Sequence, residues 1–128
     1  MIVTALYAAL LSVLLTVLIL RVARLRLKLR IGVGDGGNAE LQRAIRVHGN
    51  FTETAPWALI MMMVMETTQA LPETGLHVFG AALFLSRGFH AWGLTHQAGL
   101  SFGRSGGILV TMALFLIGAA ACLWRYFN

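Results

Sequence analysis

The chain has 128 residues, of which 58% are hydrophobic and only 12% charged, and its mean hydropathy of +0.76 is too apolar for a soluble domain of this size. That length fits one domain and excludes a soluble module beside a membrane part. The net charge of +5 does not point to nucleic acid, because Arg21, Arg24, Arg26, Lys28, Arg30, Arg43 and Arg46 all crowd into one interval of the chain.

A membrane-spanning helix needs about 20 mainly apolar residues, and four such stretches account for most of the chain. The first runs from about Ile2 to Leu20 and continues as helix through the Arg/Leu alternation to about Arg30. It has no basic residue before its apolar run and no small-residue cleavage site, so it reads as a span and not as a cleavable leader. The segment Ile31 to Gly37 breaks the helix. Gly32, Gly34 and Gly37 match GxGxxG in form, but no strand precedes them. A dinucleotide site is therefore rejected in favour of a flexible loop.

Asn38 is a helix N-cap, with Glu40 in the first turn where the helix dipole favours negative charge. The second helix is predicted over 38–71. That is roughly 50 Å, longer than the ~30 Å hydrocarbon core, so its first turns project into the headgroup zone. Pro72 and Gly75 mark a short turn. A third helix is predicted over 76–95, a loop over about 96–105, and a fourth helix over 106–125, closed by the interfacial residues Trp124, Arg125 and Tyr126.

The expected fold is all-α: one integral membrane domain over residues 1–128, a four-transmembrane-helix bundle. By the positive-inside rule, the basic intervals lie in the cytoplasm, against anionic headgroups, and both termini lie on the other side. Cys122, the only cysteine, is read as a small buried apolar residue among alanines. Met61, Met62 and Met63 are read as packing, since consecutive helical residues point about 100° apart and cannot converge on one ion. No metal site is expected.

Function is sought where polar residues break the apolar pattern. Arg43, Arg46, Asn50 and Glu53 recur at helical spacing and share one face of the second helix. His48 belongs to another face, and Pro56 removes a backbone hydrogen bond beside the stripe, which predicts a bend. Glu53, near the hydrocarbon, requires a cation or a proton. Arg87 supplies a cation from the middle of the third span, where arginine costs about 2.5–3.5 kcal/mol, and His90 lies one turn nearer the cytoplasm. The hairpin register brings Arg87 within reach of Glu53, as a structural ion pair or as part of a ligand site. Arginines, an amide and a histidine at the membrane edge suit a small carboxylate-bearing anion, with an apolar co-substrate drawn from the bilayer.

The run Arg43-Ala-Ile-Arg46-Val-His48-Gly-Asn50-Phe-Thr-Glu53-Thr-Ala-Pro56 resembles the helix-two signature of the MAPEG family, the membrane-associated proteins of eicosanoid and glutathione metabolism. The Gly-rich loop and four-span layout are similar to its small bacterial members. The resemblance implies a homotrimer in a bacterial inner membrane, with glutathione bound between subunits on the cytoplasmic side. It implies that Arg46, Asn50 and Glu53 bind glutathione with help from Arg24, and that Arg87 and His90 match the family's Arg-x-x-His positions. Arg104 and Ser105 resemble the pair that opens helix four, whose arginine stabilises the glutathione thiolate; a nearby guanidinium lowers a thiol pKa, and the thiolate is the nucleophile. A transferase or peroxidase acting on lipophilic electrophiles follows. Leu94 and Ile108 stand where many members carry tyrosine. The alternative is a non-catalytic relative that binds a lipid or another membrane protein through the same grooves. A small proton-coupled transporter fits poorly, because the first span has no acid and Glu53 lies near an edge.

Overall fold

The computed structural model describes residues 2–96 and 102–128, with the side chains of 94–96 and 102–105 outside that description. Four helices make up the described chain: α1 (Ile2–Leu29), α2 (Ala39–Thr67), α3 (Glu73–His96) and α4 (Phe102–Phe127). Each has at least 24 residues, which is roughly 36 Å or more and exceeds the hydrocarbon thickness. By length and composition, α1 and the Gly106–Phe127 part of α4 qualify as candidate spans among the described residues. The polar side chains that α2 and α3 carry dilute their apolar character.

The helix ends follow from local chemistry. Asn38 caps α2 as expected, its Oδ1 accepting from the amides of Glu40 and Leu41 at 3.0 Å each. The expected end of α2 at residue 71 is corrected to Thr67. Gln69 takes a left-handed conformation (φ 55°), the Ala70 amide donates to the Met65 carbonyl at 2.9 Å, and the Thr68 amide donates to that of Val64 at 2.9 Å. These bonds close the helix in the manner of a Schellman cap without the usual glycine. Similarly, Arg30 (φ 55°) ends α1, with the Ile31 amide donating to the Arg26 carbonyl at 3.1 Å. α3 begins at Glu73, directly after Pro72, and α4 begins at Phe102, four residues before the expected start.

Hydrogen bonds organise the glycine-rich interval. Arg26 Nη1 donates to the carbonyls of Gly34 at 3.0 Å, Gly32 at 3.1 Å and Ile31 at 3.4 Å. Asp35 Oδ1 accepts from the Gly37 amide at 2.9 Å. Carbonyls thus converge on a cation, whereas a phosphate-binding glycine loop turns its amides inward.

α2 and α3 occupy the middle of the molecule. Each packs against the other, against α1 and against α4, while among the described residues α1 and α4 do not pack on one another. Leu11, Val47, Phe51, Ala55, Ala58, Met62, Met65, Phe79, Leu83 and Leu114 belong to one continuous core. Gly80 lets α3 lie directly against the Tyr7 ring of α1, which leaves no room for a Cβ at that position. Met62 is fully buried and Met63 is 39% exposed, and no group suited to a metal ion occurs among the described residues. Cys122 is half-buried, with Sγ 3.7 Å from Met61 Sδ.

Candidate functional site

The polar residues shared by α2, α3 and α4 divide into a buried cluster and an exposed pair. At the centre of the first is Arg87, only 1% exposed. Its Nη1 donates to Asn50 Oδ1 at 2.9 Å and to Thr54 Oγ1 at 3.0 Å, and its Nη2 donates to the Gly107 carbonyl at 2.7 Å. One guanidinium therefore ties α2, α3 and α4 together. Thr54 Oγ1 donates in turn to the Asn50 carbonyl at 2.7 Å. Thr111 Oγ1 also donates to the Gly107 carbonyl at 3.0 Å. Ser86, next to Arg87, donates to the Leu83 carbonyl at 2.8 Å and lies 3.2 Å from Thr111 Oγ1.

Every acceptor of Arg87 among the described residues is neutral. Arginine only donates, so it fixes the Asn50 amide with its oxygen inward and its NH₂ free to donate elsewhere. Arg87 Nε has no hydrogen-bond partner among the described residues. His90 is also buried, one turn along α3. Gly107 makes the enclosure possible, because a Cβ there would lie 2.6 Å from the Ser86 carbonyl oxygen and 2.7 Å from His90 Cβ.

The exposed pair is Arg46 and Glu53, with Arg46 Nη1 4.0 Å from Glu53 Oε1 and side chains 63% and 59% exposed. The two residues are seven apart, so they lie almost on one line of the helix. Gly49 sits beneath them, within 4 Å of both side chains when given a Cβ. The ion pair foreseen between Glu53 and Arg87 is therefore corrected: Glu53 pairs with Arg46, and Arg87 is held by Asn50, Thr54 and a backbone carbonyl. Arg24 is exposed on α1 and makes no hydrogen bond or ion pair with described residues. Arg104 and Ser105 lie on α4, but their side chains fall outside the described residues, as does that of Leu94.

Sequence reasoning missed Thr54, Ser86, Thr111 and the Gly107 carbonyl. The signal was available for the first three. Thr54 stands one turn after Asn50, Ser86 adjoins Arg87, and Thr111 is a hydroxyl in the middle of an apolar run. On the α3–α4 side of the cluster lies a groove of about 350 Å³ lined by Ala82, Leu85, Ser86, Phe89, Gly107 and Val110, apolar apart from Ser86.

A second polar group closes the opposite end of the molecule. Glu66, just past the apolar stretch 55–65 of α2, accepts from the amides of Val3 at 3.0 Å and Thr4 at 2.9 Å, capping the start of α1. Burial opposes the charge, but hydrogen bonds from Thr4 and Val3 prevail and hold the carboxyl down to about 2. Tyr7 donates to the His77 carbonyl at 2.9 Å, with His77 Nδ1 at 3.3 Å.

Long apolar helices that converge their polar side chains on a buried arginine describe an all-α membrane protein. The chain belongs to the MAPEG family, whose model matches residues 4–124. It is similar to inner membrane protein YecN of Escherichia coli strain K12, at 41% identity over 123 residues that cover 95% of this chain and 91% of the relative. The protein of the same name from E. coli O6:H1 strain CFT073 matches to the same extent. The chain is thus an integral inner membrane protein.

Proposed function

We propose that the protein binds glutathione along the exposed stripe of α2 and delivers its thiol to a lipophilic electrophile. The observation that carries this reading is the Arg46–Glu53 pair, exposed and unburdened by packing, with Asn50 between them held from behind by Arg87. A guanidinium, an amide donor and a carboxylate in one row match a peptide that bears both carboxylates and an ammonium group. In this reading Arg24 reaches the same ligand, and Arg104, with Ser105, lies beside the thiol. The Arg104 cation favours the thiolate, the thiol proton passing to water; the thiolate attacks the electrophilic carbon and forms a carbon–sulfur bond while the bond to the leaving group breaks and that group departs as an anion. The apolar α3–α4 groove offers a route for a co-substrate dissolved in the bilayer. All four helices cross the membrane, both termini lie on the non-cytoplasmic side, and three copies assemble so that glutathione sits between neighbours.

Calorimetric titration of the detergent-purified protein with glutathione tests the reading. Saturable binding that weakens at least about tenfold in Arg46→Ala, the loss of a charge-assisted contact, is expected. No heat from the wild-type protein overturns it. Arg104→Ala is expected to abolish conjugation while leaving binding and folding in place, and a mass measurement of the oligomer checks the trimer.

A second reading rests on Leu94 and Ile108, which stand where many MAPEG proteins have tyrosine. Without those hydroxyls the scaffold serves as a non-catalytic binder of lipid or protein. Absence of any glutathione-dependent thermal stabilisation of the folded protein selects it.

A further inference from the structure

A free asparagine side chain is ambivalent: turned one way it donates, turned the other way it accepts. Asn50 does not have that choice. Arg87 is 1% exposed and its Nη1 donates to Asn50 Oδ1 at 2.9 Å. A guanidinium has donors only, so this contact can be made to the oxygen end of the amide and never to the NH₂ end. Thr54 cannot reverse it. Its one hydroxyl proton goes to the Asn50 main-chain carbonyl at 2.7 Å, and its oxygen accepts from the same Nη1 at 3.0 Å.

The amide group is planar, so holding Oδ1 on Arg87 turns Nδ2 away from it. Asn50 is half-buried, and no described residue accepts a hydrogen bond from Nδ2. The guanidinium of Arg46 lies beside this position. Arg46 Nη1 is 3.9 Å from where a Cβ on Gly49 would stand, and Gly49 directly precedes Asn50. Two neighbouring side chains thus present donors. A carboxylate can give one oxygen to each of them, in charge-assisted bonds. A carboxamide has one oxygen, and its NH₂ would meet a donor.

We propose that Arg87 is a positioning residue that makes Asn50 a one-way donor, and that Asn50 with Arg46 thereby selects a carboxylate over the corresponding carboxamide. The proposal rests on the glutathione reading and sharpens it, because glutathione bears a carboxylate at each end and can be amidated at either. Arg87 itself, being buried, does not touch the ligand.

The experiment titrates the detergent-purified full chain with glutathione and with the two analogues that carry a carboxamide in place of one or the other carboxylate. The wild-type protein is expected to bind glutathione at least about tenfold more tightly than one of these analogues. Asn50→Asp is expected to invert that preference, since its outward oxygen repels a carboxylate and accepts from a carboxamide. Its Tm is expected to stay at or above wild type, because the inward oxygen still accepts from Arg87. Arg87→Lys, which also only donates, should keep the preference. Arg87→Gln can accept as well as donate, so it lets Asn50 turn over, and the preference should shrink to within about threefold.

A merely structural role for Arg87 lowers the affinities for acid and amide together and leaves their ratio unchanged, which overturns the proposal. So does a wild-type preference in Asn50→Asp, the variant that decides the matter if Arg87→Gln does not fold. A Tm for Asn50→Asp as low as that of Asn50→Ala shows that Arg87 does not hold the asparagine oxygen, and overturns it without reference to any ligand. Absence of glutathione binding by the wild-type protein removes the glutathione reading and this selectivity with it. Tight glutathione binding with no discrimination between acid and amide overturns the selectivity alone.

Discussion

On α2, Asn50 and Thr54 face inward onto Arg87, whereas Arg46 and Glu53 face outward onto each other, within little more than two turns of one helix. The inner group satisfies a buried cation with neutral oxygens from two other helices, in a setting where each unpaired polar atom is costly. The outer group pairs full charges in the open, where the medium screens them and their mutual attraction contributes little to stability. Stability therefore resides in the inner group, and the outer group is free to be used by a ligand. Substitutions in the two groups should separate these roles.

The largest effect is expected from Arg87→Ala, which leaves the side-chain oxygens of Asn50 and Thr54 without that donor and removes one of the donors to the Gly107 carbonyl. Loss of hydrogen bonds to a charged group from a buried site costs about 2–4 kcal/mol, read as a lowered Tm and a broadened unfolding transition in detergent. A Tm within a degree or two of wild type would refute the structural weight given to this cluster. Next comes Gly107→Leu, which forces α4 away from Ser86 and His90. A cost of about 1–3 kcal/mol is expected, together with weaker protection of the α3–α4 seam in hydrogen exchange.

Glu66→Gln probes the opposite end. The wild-type carboxyl is held below its ordinary value of 4.5, at about 2, so its stabilising contribution is present above about pH 4.5 and is lost as pH falls through about 2. The Tm gap between wild type and Glu66→Gln should accordingly close across that acid window, and a gap independent of pH would remove Glu66 as its cause. The smallest effect on stability is expected for Glu53→Gln, within about 0.5 kcal/mol, even though this variant should weaken glutathione binding. If it instead unfolds the protein, the division between inner and outer groups fails.

The helices and the polar stripe of α2 were legible in the sequence because apolar run length and 3.6-residue spacing are strong signals. Asn38 was legible as a cap from its side chain alone. Gln69 was not, because a left-handed residue at a helix end is usually glycine, and so α2 read four residues too long. The partner of Arg87 was hidden for a different reason. Glu53 and Thr54 stand at nearly the same height on α2, but they point about 100° apart. Height along the hairpin could be counted from the turn, whereas rotation about the helix axis depends on how α2 packs against its neighbours. Nor could the sequence divide the basic cluster, since the role of Arg26 is set by loop carbonyls that carry no side-chain signature.

The bond from Arg87 to α4 ends on the main-chain oxygen of Gly107, an atom that every amino acid supplies. A scan replacing side chains one at a time would register Asn50 and Thr54 as partners of the arginine and would find no partner at all on α4. The third helix of the clamp would look like a bystander. Detecting it takes a change to the backbone itself, such as an ester in place of the peptide bond after Gly107, which weakens the carbonyl as an acceptor and leaves every side chain as it was.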